Sequence, residues 1–212
     1  MSYTSRRERE RKIHEAEIIA AAEKIFYQKG FNEVSMDEIA EIAEFTKKTL
    51  YQYFSNKKEL YFAVACKGYQ TLFERLQAVS QTEYNGFETS RLLVFAYYHF
   101  YLEFPHTFRL LKSCSLIGPI DEMSFYYQHF EHLKTMMIQL FIAIIEKGKN
   151  DTSIRQDVDS RMAAYSIVYF IVGFFYRLSE VGQAFKNDPT LNQEEFICFA
   201  LELLSNTLAP NK

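Results

Sequence analysis

Glycine and proline are scarce in this chain, 7 and 4 of 212 residues. Strand-rich folds lean on these two residues for their many turns, so the scarcity argues for long uninterrupted helices. Cysteine is scarce as well. Cys66, Cys114 and Cys198 are odd in number and far apart, which excludes a disulfide framework or a CxxC zinc site and leaves buried reduced thiols. Spacing assembles no set of nucleophile, base and oxyanion donor, and there is no glycine-rich phosphate loop. Neither enzymatic activity nor a cofactor or metal is therefore expected. The opening MSYTSRRERERK lacks the apolar core of a secretory signal, which points to the cytoplasm. The run AAYSIVYFIVGFFY at 163–176, bounded by Arg161 and Arg177, is shorter than the roughly 20 apolar residues of a bilayer span. It is expected to be a helix buried on most sides, and no membrane partner is expected.

What is present is a 48% hydrophobic content, enough for a sizeable core in one domain or in a small domain attached to a larger one. Formal charge is −3 overall but uneven: residues 1–58 carry a net +1 and the rest −4. Within the first part, Arg6, Arg7, Arg9, Arg11 and Lys12 outnumber Glu8 and Glu10, and Lys47, Lys48, Lys57 and Lys58 form a second basic group. Such local clusters matter more for polyanion binding than the total.

Periodicity predicts a first helix over about 8–29, with Ile18, Ala22, Ile25 and Phe26 on one face and Gly30 as a left-handed C-cap. Ser35 and Glu38 form an S-x-x-E capping box for a short second helix whose apolar positions are Met36, Ile39, Ala40 and Ala43. Thr46 caps a third helix ending near Phe54, and Asn56 with Glu59 opens a fourth that runs to about Ser80. Short helices separated by a tight turn have the dimensions of a helix-turn-helix unit. In the stretch FTKKTLYQYFSNKKEL, Leu50, Tyr53 and Phe54 then face inward. Lys47 and Lys48 sit at a helix N-terminus, where free N–H groups and the dipole already favour phosphate. Tyr51 and Gln52 lie one turn on, where side chains can reach base edges in a major groove.

The segment VSMDEIAEIAEFTKKTLYQYFSNKKELYFAV resembles the DNA-binding domain of the tetracycline-repressor (TetR) family. The resemblance rests on an IA..A segment, a TLYxYF recognition helix and an NKxEL cap, and covers about residues 13–64. It implies that Lys47, Thr49, Tyr51, Gln52, Tyr53 and Lys57 occupy positions that meet DNA; Lys48 joins them by location. Two positions depart from the family pattern. Glu44 stands where the turn usually has Gly, which costs a left-handed residue roughly 1 to 2 kcal/mol, and Lys48 replaces a frequent Gly at a place where a helix accepts Lys readily.

Further helices are predicted at about 89–104, 106–114, 122–148, 159–185 and 193–208. The segment LLVFAYYHFYLEF at 92–104 is apolar around most of its circumference, so that helix should be central to the C-terminal part. Along the fourth helix, Phe62, Cys66, Tyr69 and Phe73 fall at i, i+4, i+7 and i+11. Tyr98, Tyr101, Phe108, Phe130, Tyr165 and Tyr169 could join them from other helices as a ligand pocket; the same stripe is also what plain core looks like. Glu103 facing these rings would favour a cationic aromatic ligand, while a solvent-facing Glu103 would say nothing.

The expectation is an all-α chain, with a helix-turn-helix domain over 1–58 and a larger effector-binding and dimerisation domain over 59–212. By resemblance it is a homodimeric regulator, a repressor of a double-stranded DNA operator released by a small aromatic or hydrophobic effector. The resemblance also implies a four-helix dimer interface from 159–185 and 193–208, with Gly173 permitting close approach and Phe174 or Phe175 filling the seam. The other reading is a helical small-molecule carrier or protein-interaction module without operator binding.

Overall fold

The computed structural model describes residues 6–117, 124–181 and 192–210. In chain order they form α1 (Arg6–Glu33), α2 (Met36–Ile42), α3 (Lys47–Tyr53), α4 (Lys57–Ser80), α5 (Gly86–Glu103), α6 (Pro105–Ile117), α7 (Phe125–Asn150), α8 (Ser160–Val181) and α9 (Gln193–Asn206). The chain is all-α, as its composition required, with short helices where the capping signals put them. The predicted continuation of α8 to 185 lies outside the described residues. The chain gathers into two compact units, Met1–Tyr69 with Leu110–Glu131 and Gln70–Arg109 with His132–Lys212. These units divide α4, α6 and α7 within their lengths.

In the first unit, α1 buries Ile18, Ala21, Ala22, Ile25 and Phe26, the stripe that a 3.6-residue period lays on one face. Gly30 interrupts the helix at φ 79°, ψ 175°. That region is open in practice only to glycine, and its ψ is extended rather than left-handed helical, so a last turn can follow to Glu33. Ser35 and Glu38 close the predicted capping box on α2. At α4 the box is offset by one residue. Asn56 Oδ1 accepts from Glu59 N at 3.0 Å, but Glu59 Oε2 accepts from Ser55 N at 2.8 Å.

The turn between α2 and α3 closes despite Glu44, which adopts φ 59°. Phe45 N donates to Ala40 O at 2.9 Å and Glu44 N to Glu41 O at 3.1 Å, the paired bonds of a Schellman ending. The sequence departure therefore leaves the turn in place and stores strain in it. Glu44→Gly is expected to raise stability by about 1 kcal/mol, because relief of the left-handed strain exceeds the added unfolded-state freedom of glycine. A higher denaturation midpoint at unchanged m-value checks this.

In the second unit α5 packs against α8 and α9, burying Leu93, Val94, Tyr97, Tyr98 and Phe100, which makes it the central helix that its apolar circumference predicted. Phe175 is fully buried and stacks on Tyr101 at 4.9 Å and Tyr98 at 5.9 Å. It belongs to this chain's own core, which leaves Phe174 of the two residues named for a dimer seam. The expectation for 163–176 is corrected. Residues 160–179 are long and apolar enough to cross a membrane by length and composition, yet only 33% of the apolar window is buried. Met162, Tyr165, Tyr169, Phe170 and Val172 are exposed, as are Phe199 and Leu203 of α9.

Candidate nucleic-acid interface

α3 has seven residues and is held by its ends. At its start, Thr46 Oγ1 accepts from Thr49 N at 3.1 Å and meets the Thr49 hydroxyl at 2.8 Å. This cap occupies the Thr49 side chain, which is half-buried. Leu50 and Phe54 are fully buried and turn the opposite side of the helix outward. Lys47, Lys48, Tyr51 and Gln52 share that exposed side. Four predicted contact residues are thus brought to one face, around the positively polarised end of a helix.

Lys47 Nζ lies 2.8 Å from Asp37 Oδ1 on α2, and the hydrogen bond to that carboxylate raises the lysine pKa above its ordinary value. A phosphate oxygen would have to replace Asp37. Lys48 has no ion-pair partner among the described residues and stands ready as a point charge.

Tyr53 and Lys57 are placed differently from the expectation. The Tyr53 hydroxyl is 3.3 Å from His14 Nδ1, and the Arg11 guanidinium sits 5.9 Å from the Tyr53 ring centre. Lys57 Nζ donates to Phe31 O and Val34 O, both at 2.7 Å, and lies 4.4 Å from the Phe31 ring centre. Two carbonyls at the C-terminal end of α1 take the ammonium, so Lys57 ties α4 to the end of α1 instead of presenting its charge outward. The expectation that Lys57 meets DNA is set against an ammonium already held by two carbonyls of its own chain.

Sequence reasoning missed His14. Its ring meets Phe45 edge-on at 5.2 Å and Tyr53 at 6.5 Å, fastening both the turn and the end of α3 to α1. The signal was there, since His14 precedes Ile18 by four residues on the buried face. Arg7, Arg11, His14, Gln52 and Tyr53 line an open cleft of about 430 Å³ together with Glu8 and Glu10.

The predicted effector residues separate into groups. In the first unit, Phe62, Cys66, Tyr69 and Phe130 come together: Phe130 meets Phe62 at 5.3 Å and Tyr69 at 5.1 Å. Cys66 is buried beside them, its thiol pushed up to about 12 by burial. In the second unit, Tyr101 meets Phe108 at 5.6 Å and both reach Phe175, with Tyr98 stacked alongside. Burial raises the pKa of both tyrosines.

Glu103 is 54% exposed and bonded to Arg75 at 2.7 Å; that hydrogen bond lowers its pKa. Arg75 itself covers Phe104 at 5.1 Å and Phe100 at 5.7 Å, so the cation over these rings comes from the chain. Of the two placements open to Glu103, the structure has the solvent-facing one, which gives no support to a cationic ligand. Tyr165 and Tyr169 are exposed on α8, 6.3 Å from one another, and are corrected from pocket lining to outer surface. Phe73 lines an apolar cleft of about 440 Å³ with His132, Thr135, Met136, Gln139 and Leu140. The α7 residues of this cleft were missed, although 132, 136 and 140 repeat at i, i+4 and i+8. Among the described residues no group of three or more His, Cys, Asp or Glu is placed to hold a metal ion.

Residues 18–64 match the description "Bacterial regulatory proteins, tetR family". The transcriptional activator FasR of Mycolicibacterium smegmatis is 32% identical over 95 residues, 45% of this chain but only 43% of FasR's own length. A solved tetR-family protein from Rhodococcus RHA1 superposes with a TM-score of 0.71 at 17% identity, covering 99% of this chain and 100% of that one. FadR from Bacillus subtilis, solved with stearoyl-CoA, gives 0.68 at 20% identity, covering 91% and 98%. At these identities the structural likeness extends the shared fold to the whole chain and goes no further.

Proposed function

With residues 18–64 carrying its DNA-binding segment, the chain belongs to the tetR family of bacterial regulatory proteins, and from that premise we propose a ligand-responsive repressor that binds a palindromic operator as a homodimer. The observation that carries this reading is the outward face of α3, where Lys47, Lys48, Tyr51 and Gln52 surround a capped helix N-terminus. In this reading Lys47 and Lys48 hold phosphates while Tyr51 and Gln52 meet bases. Thr49 and Tyr53 hold the helix at its two ends, and Lys57 fastens α4 to the end of α1. Residues 1–58 read DNA, and residues 59–212 bind the effector and the second copy, in the cytoplasm.

The effector proposed is a small hydrophobic molecule. Support comes from the apolar cleft at Phe73, Met136 and Leu140 and from the fold shared with a FadR solved with stearoyl-CoA. To weaken operator binding about 100-fold, such a molecule must favour the non-binding state by about 2.7 kcal/mol, and the operator must weaken effector binding equally. α4 bears Lys57 near the DNA-reading helices and Phe73 further along one unbroken helix, which makes it the element proposed to carry the change.

Selection of duplexes from a random pool tests the reading: one enriched palindrome supports it, and none would leave a helical carrier or protein-interaction module. On the recovered site, Lys47→Ala is expected to weaken binding to all sequences and flatten the slope of log K against log salt by about one. Gln52→Ala should instead cost about 1 to 3 kcal/mol at one base position. Unchanged binding in both folded variants would sink the assignment of α3. The name of FasR favours activation as a second reading, and a reporter downstream of the recovered site distinguishes the two by whether deletion of the regulator raises or lowers output.

A further inference from the structure

In the first turn of α7, Tyr126 reaches the DNA-reading helices. The Tyr126 hydroxyl donates to Glu15 Oε1 on α1 at 2.5 Å. Its ring lies 5.6 Å from that of Phe54, the C-cap of α3, and its carbonyl accepts from Cys66 Sγ of α4 at 3.3 Å. Glu15 follows His14, whose ring holds Tyr53 and Phe45. A seven-residue helix cannot set its own direction, because so few turns give it little stability apart from its packing. α3 therefore takes its angle from what grips Tyr53 and Phe54.

We propose that Tyr126 is a positioning residue for DNA reading, fixing the angle of α3 through its hydrogen bond to Glu15 and its ring against Phe54. The proposal rests on the operator-binding reading above and adds a control to it. A shift at the start of α7 changes how well α3 is presented without removing any group that touches DNA. Phosphate contacts tolerate small changes of angle better than base contacts do, since they act largely through charge. The loss therefore falls on discrimination.

The test uses the full chain and the duplex recovered from the random pool, beside a scrambled duplex of equal length. Tyr126→Phe removes only the phenol oxygen, Glu15→Ala removes its acceptor, and Glu15→Gln keeps an acceptor. Tyr126→Phe and Glu15→Ala are each expected to weaken the recovered site about tenfold, and the double variant no more than either alone. Glu15→Gln should stay within about threefold of the parent, with scrambled-duplex affinity and salt slope unchanged in every variant. A merely structural role would lower thermal stability and leave the ratio of recovered to scrambled affinity intact. Parental discrimination in Tyr126→Phe, additive losses, or a changed salt slope would overturn the proposal while operator binding stands. If the unaltered chain enriches no duplex, the operator reading falls first and this one with it.

Discussion

Tyr169→Arg is expected to turn the protein into a monomer and to lower its operator affinity about a hundredfold or more, because the second half-site is then no longer bound through a linked partner. Tyr169 is 73% exposed on α8, in the midst of Met162, Tyr165, Phe170 and Val172, with Phe199 and Leu203 of α9 also uncovered. Exposed apolar side chains gathered along one helix, as Met162, Tyr165, Tyr169 and Val172 are at helical spacing, seldom stay in water. A Cβ added at Gly173 on the same helix would meet nothing within 4 Å, which leaves room for close approach by another backbone. In a two-fold interface each substitution acts twice, and an unpaired charge buried there costs roughly 3 kcal/mol or more per copy. Light scattering at micromolar concentration reads the result: a dimer for the parent and a monomer for the variant. A monomeric parent would overturn the dimer reading and turn attention to a membrane or another protein as the cover for this face.

Gly86→Ala should destabilise the chain by about 3 kcal/mol or more, which in a protein of this size lowers the melting temperature by roughly 6 to 12 °C. A Cβ at Gly86 would stand 2.1 Å from Gly148 Cα and 2.9 Å from Ile144 O. All of this is backbone, so no side chain can swing aside. The crossing also ties off the start of α5. Gly86 N donates to Asp151 Oδ2 at 2.8 Å, Phe87 N to Ser153 Oγ at 3.0 Å and Glu88 N to Asn85 Oδ1 at 2.9 Å. Pushing α5 off α7 would strand those donors as well as open the packing. Gly148→Ala meets chiefly the Ile154 side chain, which can shift, so its penalty should be distinctly smaller. Thermal denaturation of the two variants side by side tests the account, and equal losses would contradict it.

The sequence by itself determined what depends on a few neighbouring residues. The Ser35–Glu38 box, the Thr46 cap, the break at Gly30 and the burial of Leu50 and Phe54 are set by hydrogen bonds and periodicity spanning about one helical turn. For the same reason the exposed side of α3 was legible: once the inward positions are known, Lys47, Lys48, Tyr51 and Gln52 have only the other side to occupy. Pairings across long separations were decided by tertiary structure alone. Lys57 looked like one more cation in a basic stretch until the carbonyls of Phe31 and Val34, 26 and 23 residues away, took its ammonium. Glu15 meets Tyr126 across 111 residues, Arg75 claims Glu103, and Phe175 joins Tyr98 and Tyr101 while Tyr165 and Tyr169 on the same helix face outward. Periodicity states which residues of a helix share a face. Which neighbour that face meets depends on the crossing angles and offsets of whole helices, and those are settled only when all the side chains pack at once.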